Sequence, residues 1–133
     1  MSIDNNLYEK SIKILTDLIA FKTISGQDNS NLIDYCEKIL NNIGINTFKV
    51  YDDDKKRVNL FGTLKAKNQS TKKPIILSGH TDVVPVSKGW SSDPFVATIK
   101  NDKLYGRGSC DMKGFIACTL AYAPIFKESN LDR

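Results

Sequence analysis

The chain reads as an α/β layered domain in which helices flank strands. Three observations lead there. Two stretches near the N-terminus repeat apolar residues at helical spacing. The segments after them alternate apolar and polar residues, as half-buried strands do. One run, Ile75, Ile76 and Leu77 in KKPIILSG, is continuously apolar, as expected of a strand covered on both faces.

In the first predicted helix Tyr8, Ile12, Leu15 and Ile19, with Ile14 and Leu18 beside them, form one apolar face, and Asp4 is its candidate N-cap. The polar, glycine-containing stretch KTISGQDNSN leads to a second helix from about Asn31. Its inward residues are Leu32, Ile33, Cys36, Ile39, Leu40 and Ile43, and Gly44 supplies the stop. INTFKVY alternates apolar Phe48 and Val50 with Thr47 and Lys49, the pattern of a strand buried on its apolar side. VNLFGTL is a second strand, paired with the first as a hairpin across DDDKKR. TIK and KLY, separated by Asn101 and Asp102, form a short hairpin. MKGFIACTLAYAPIF is helical despite Gly114 and is expected to end near Pro124. With one strongly central strand and a chain that stops just past a helix, the sequence looks like the front portion of a larger domain.

A length of 133 residues suits one domain with a sizeable core, and 41% hydrophobic with 26% charged residues is ordinary for a globular protein. The net charge of +4 is mild. The densest charged cluster, DDDKKR, alternates sign, which reads as a solvated turn and argues against a nucleic-acid surface. No run approaches the roughly 20 apolar residues of a membrane span. MSIDNNLYEK lacks the basic-then-apolar order of a signal peptide. Cys36, Cys110 and Cys118 form no CxxC pair, so a reduced, cytoplasmic protein is expected.

Two constellations could carry chemistry. His80, the single histidine, stands in SGHTD where the apolar run ends. In an extended backbone, residues two apart point to the same side. Asp82 could therefore accept a hydrogen bond from one ring nitrogen while the other binds a metal, an arrangement that fixes the tautomer. A strand-end His–Asp pair without metal has the same sequence. The second constellation is YGRGSCDMKGF. Its GRG resembles the start of a dinucleotide-binding loop, but Asp111 stands where the third glycine belongs and would repel a pyrophosphate. Asp111 could instead cap the last helix, or bridge two metal ions with its two oxygens. Cys110 is read as packing or wall, and Trp90 and Phe95 in VVPVSKGWSSDPF as cover for the sheet edge or a pocket rim.

SGHTDVVPVSKGWSSDPF followed by LYGRGSCDMKGFIA resembles the co-catalytic metallopeptidase and deacylase family of M20 type. That family includes acetylornithine deacetylase, succinyl-diaminopimelate desuccinylase, carboxypeptidase G-type enzymes and aminoacylases. FKTIS, NSNLIDYCEKIL and RVNLFGTL fit as well, so the resemblance covers nearly the whole chain. VVPVSKGWSSDPF and GRGSCDMKGF are most like acetylornithine deacetylase, with a succinyl-diaminopimelate desuccinylase-like enzyme as the alternative.

The resemblance implies a mixed-sheet, helix-flanked metallopeptidase catalytic domain, of which residues 1–133 form the N-terminal part. It implies that His80 ligates one metal, that Asp111 bridges two, and that Asp82 is the acidic residue orienting His80. It also implies a cis peptide at Asp111–Met112. The cofactor expected for a complete enzyme is a pair of divalent ions, Zn²⁺ or Co²⁺, and the substrate a small N-acylated amino acid such as N-acetyl-L-ornithine, deacetylated in arginine biosynthesis. The family's general base, its further ligands and its lid and dimerisation domain have no counterpart in these residues. The chain alone is therefore expected to be inactive. It would be completed by a longer chain or a separately encoded C-terminal part and form a homodimer as the family enzymes do, or else be a non-catalytic remnant.

Overall fold

The computed structural model describes residues 5–65, 71–129 and 131. Asp4, the candidate N-cap, lies outside the described residues. Helix α1 (Asn5–Ala20) buries Ile14, Leu18 and Ile19, while Tyr8 at its start is exposed. Helix α2 (Ser30–Asn42) buries Leu32, Ile33 and Cys36. Just before it, the Asp28 carboxylate accepts the Ser30 N–H at 2.7 Å, satisfying one donor of the first turn. Beyond its end Gly44 takes a φ of 69°, and its N–H returns to the Asn41 carbonyl at 2.8 Å.

Helix α3 (Gly114–Glu128) packs against α1 and α2. Its Ala117, Leu120 and Ala121 join Ile14, Leu18, Leu32, Ile33, Cys36 and Val58 in one core cluster. Leu18 and Leu32 are fully buried there, so truncating either to alanine should cost about 2–5 kcal/mol. The helix runs through Pro124 rather than ending near it. Pro124 removes one intrahelical donor, yet the Ser129 N–H still reaches the Ile125 carbonyl at 2.9 Å, so one missing bond does not end the helix.

Strands β1 (Asn46–Tyr51) and β2 (Val58–Thr63) form the expected antiparallel hairpin. Asp52 closes its turn by accepting the Lys56 and Arg57 N–H groups and the Arg57 Nε–H. The expected orientation of β1 is overturned. Phe48 and Val50 are exposed, and Thr47 and Lys49 are half-buried. Helix α2 presents a polar surface to this strand: Lys49 Nζ lies 2.7 Å from Asp34 and 2.5 Å from Glu37, and Thr47 donates to Asn41 at 2.9 Å. Lys49 sits opposite Leu60 of β2, which packs against the core cluster, so this face turns inward, and Phe48 stacks on Phe61 across the open side with centroids 4.8 Å apart. Strands β3 (Thr98–Lys100) and β4 (Lys103–Tyr105) form the second hairpin, with Asn101 and Asp102 both at positive φ in a two-residue turn.

The central strand expected at KKPIILSG is not there. Ile75, Ile76 and Leu77 are 68%, 80% and 51% exposed, and they pair with no strand among the described residues. A continuous apolar run signals a need for cover on two faces, and the exposure of all three side chains shows that the described residues do not supply it. The mixture of helices and small sheets nonetheless keeps the fold in the α/β class.

Candidate metal centre

Three backbone segments converge at one edge of the helical core. Residues 23–25 and 81–83 lie parallel, with a bridge between Ile24 and Val83. The Val83 N–H donates to the Thr23 carbonyl at 2.9 Å, and the Ser25 N–H to the Val83 carbonyl at 3.0 Å. Thr23, itself buried, adds a hydroxyl bond to the Thr81 carbonyl at 2.7 Å. Asn29 pins the pair to β2 by accepting the Val58 N–H and donating to the Val58 carbonyl and the Thr81 hydroxyl.

The third segment, residues 106–113, is pressed against the other two. Gly108 has φ 80°, and a Cβ there would sit 2.6 Å from Val83 Cγ1, so only glycine permits this approach. Ser109–Lys113 then make a wide turn that delivers Asp111, with a cis peptide at Asp111–Met112 as the resemblance implied. Lys113 anchors the turn. Its side chain is fully buried, and Nζ donates to the Leu18 carbonyl at 2.8 Å and the Phe21 carbonyl at 2.7 Å, satisfying acceptors at the end of α1. Burial pushes its pKa down to about 8.

These constraints bring together all three residues expected at the site. His80 Nε2 lies 2.9 Å from Asp111 Oδ1, and His80 Nδ1 lies 3.2 Å from Asp82 Oδ1 and 3.1 Å from the Asp82 carbonyl. Asp111 does not cap α3, because its backbone is non-helical and the helix starts only at Gly114. The hydrogen bond to Asp111 holds the His80 pKa above its ordinary value. Asp82 is held below the usual carboxylate range, chiefly by the Ser25 hydroxyl donating to Oδ2 at 2.5 Å.

The three side chains line a depression of about 250 Å³, together with Ser25, Arg107 and Cys110. Cys110 is exposed on its wall. Trp90 lies over the Arg107 guanidinium with 5.1 Å from its carbon to the ring centroid, and Lys22 stands over Phe95. The donor chemistry, one imidazole nitrogen beside one carboxylate oxygen, suits a divalent transition metal. Among the described residues no group of three His, Cys, Asp or Glu side chains is placed to hold a metal ion, so His80 and Asp111 would supply two of the three or four protein ligands such an ion takes.

Sequence reasoning missed Ser25 and Lys113. Ser25 was visible only as the last residue of FKTIS, and its hydroxyl bond spans 57 positions of sequence. Lys113 sits at the helix-like start of an apolar segment, where a solvated lysine is the ordinary expectation.

An α/β chain presenting a histidine between two carboxylates has the makings of part of a metallohydrolase. Residues 76–133 match the model of peptidase family M20/M25/M40, whose enzymes are metal-dependent. The chain is 38% identical to the succinyl-diaminopimelate desuccinylase of Rickettsia akari (strain Hartford) over 125 residues, which cover 90% of this chain and 32% of that protein. It is 40% identical to the acetylornithine deacetylase of Myxococcus xanthus over 109 residues, covering 80% of this chain and 28% of that one. The chain thus spans about a third of the length of these relatives. No described helix is long and apolar enough to cross a membrane.

Proposed function

We propose that His80 and Asp111 are ligands of a divalent metal, and that Asp82 orients His80, in a hydrolase that removes the acyl group from a small N-acylated amino acid. The observation that carries this reading is the single imidazole held between two carboxylates, one at each ring nitrogen. With its Nδ1–H donating to Asp82, His80 presents the Nε2 lone pair beside Asp111 Oδ1. The second oxygen of Asp111 is available to a second ion, as the resemblance implies. A divalent ion such as Zn²⁺ or Co²⁺, held by His80 and Asp111, would supply Lewis acidity toward the acyl carbonyl.

On this reading residues 1–133 are the N-terminal part of a catalytic domain. The remaining ligands, the proton-shuttling carboxylate and the lid lie in further polypeptide, covalently continuous or separately made. The chain by itself should then bind metal weakly and turn nothing over. N-acetyl-L-ornithine is the first substrate to test, supported by the likeness of VVPVSKGWSSDPF and GRGSCDMKGF to acetylornithine deacetylase and by the Myxococcus relative. N-succinyl-diaminopimelate is the second, supported by the Rickettsia relative.

The test joins residues 1–133 to the last two thirds of either relative and assays both substrates with Zn²⁺ or Co²⁺. Turnover that disappears in His80→Ala, together with a bound-metal stoichiometry lowered by that substitution, is expected. Metal content unchanged by His80→Ala overturns the ligand assignment and leaves a non-catalytic remnant as the better reading.

A further inference from the structure

We infer that Ser25 is a positioning residue for this site: its hydroxyl fixes the Asp82 carboxylate so that the carboxylate, in turn, fixes the ring of His80. The inference rests on the proposed metal-site reading for its purpose, but its geometry stands without it. Ser25 Oγ–H donates to Asp82 Oδ2 at 2.5 Å, while Asp82 Oδ1 faces His80 Nδ1 at 3.2 Å. His80 Nε2 then faces Asp111 at 2.9 Å, so four side chains from three backbone segments form one relay.

Two features make Ser25 the point on which the relay depends. The His80 Nδ1–H has two acceptors, the Asp82 backbone carbonyl at 3.1 Å and the Asp82 carboxylate. The carbonyl is fixed by the chain, whereas the carboxylate is free to rotate unless something holds its other oxygen. Ser25 is the side-chain donor found on that oxygen. Ser25 is itself rigidly placed, because its N–H is bonded to the Val83 carbonyl and its neighbour Ile24 bridges Val83 in parallel register. Releasing Oδ2 lets the carboxylate turn toward water, and the Nδ1–H is left with the neutral carbonyl alone. Charge-assisted bonds are about twice as strong as neutral ones, so the ring loses its stronger tether.

His80 is the only histidine in the chain, which makes the experiment clean. Nuclear magnetic resonance of the metal-free chain at pH 6 would follow the two ring N–H resonances of the imidazolium. In Ser25→Ala the Nδ1–H, which faces Asp82, should move upfield and exchange faster with water. The Nε2–H, which faces Asp111, should stay in place, and Ser25→Thr should restore the Nδ1–H because it keeps a hydroxyl. Zn²⁺ affinity should fall by up to about 10-fold in Ser25→Ala, at the lower end of what loss of a ligand's partner causes. A change in melting temperature with both ring resonances unmoved would overturn the inference and leave Ser25 a structural residue. Because the resonances are read without metal or substrate, they report on Ser25 even if the hydrolase reading fails, and that failure would appear separately as Zn²⁺ uptake indifferent to His80→Ala.

Discussion

Replacing Lys113 with methionine should destabilise the chain although the site's own side chains are untouched. Lys113 Nζ satisfies the carbonyls of Leu18 and Phe21 from inside the protein, where water does not reach the side chain. Methionine keeps the length of the side chain and fills similar space but donates nothing; each carbonyl keeps one backbone donor, the Phe21 N–H on Leu18 at 3.3 Å and the Thr23 N–H on Phe21 at 2.9 Å, and loses its bond from the ammonium. Each lost bond from a charged donor is worth about 1.5–3 kcal/mol. Against this, the ammonium no longer has to be desolvated, a penalty visible in its pKa being held down to about 8. A net loss of about 2–3 kcal/mol follows, smaller than the two lost bonds taken alone. For a chain of 133 residues that corresponds to a melting temperature lower by about 7–10 °C. Thermal unfolding followed by circular dichroism, wild type beside Lys113→Met, measures it. A variant as stable as wild type, or more stable, would refute the capping role and show that the buried ammonium costs as much as its two bonds return.

Three shorter expectations go with it. Asp82→Asn keeps the shape of the side chain but turns a charged acceptor into a neutral amide, so metal affinity in the completed enzyme should fall by about 10–100-fold with the circular dichroism spectrum unchanged; unaltered affinity by calorimetry would count against Asp82 as the orienting group. Burial pushes the Cys36 thiol up to about 12, whereas Cys110 and Cys118 are exposed, so native protein at pH 8 should label with iodoacetamide at the latter two and reach Cys36 only after denaturation. Ile76 is 80% exposed in an apolar run, so Ile76→Lys should leave melting unchanged within about 0.5 kcal/mol and reduce light scattering on concentration; a large loss of stability would mean that Ile76 is covered in solution.

Most of the helices were legible because their faces are written in local spacing: Leu18 and Ile19 in α1, and Leu32, Ile33 and Cys36 in α2, are buried where the periodicity put them. Both hairpins were legible from turn residues, Asn101 and Asp102 above all. The orientation of β1 was not, because alternation marks two faces without saying which one a neighbour wants. The face of Lys49 turns inward with Leu60 of β2 and leaves Phe48 outside. The strand expected at residues 75–77 failed for a related reason, since a composition that requires cover does not itself provide it. At the site, His80, Asp82 and Asp111 were readable from two short motifs, and the structure brings them within contact distance. Ser25 and Lys113 were not readable, because each acts on a partner brought near only by the fold.

The burial of Lys113 also makes this residue a clock. Trypsin cleaves after lysine only where several residues can be drawn out into its cleft, and Lys113 has no exposed surface in the folded chain. Lys22 and Lys103, both exposed, stand open to attack by comparison. Scission after Lys113 therefore proceeds only through molecules in which the Asp111 turn has left the end of α1, and its rate at low protease concentration measures how often that happens. An ion gripping Asp111 would hold the turn down and slow this one cut while sparing the others, so a digest resolved by mass reports occupancy of the centre without any substrate.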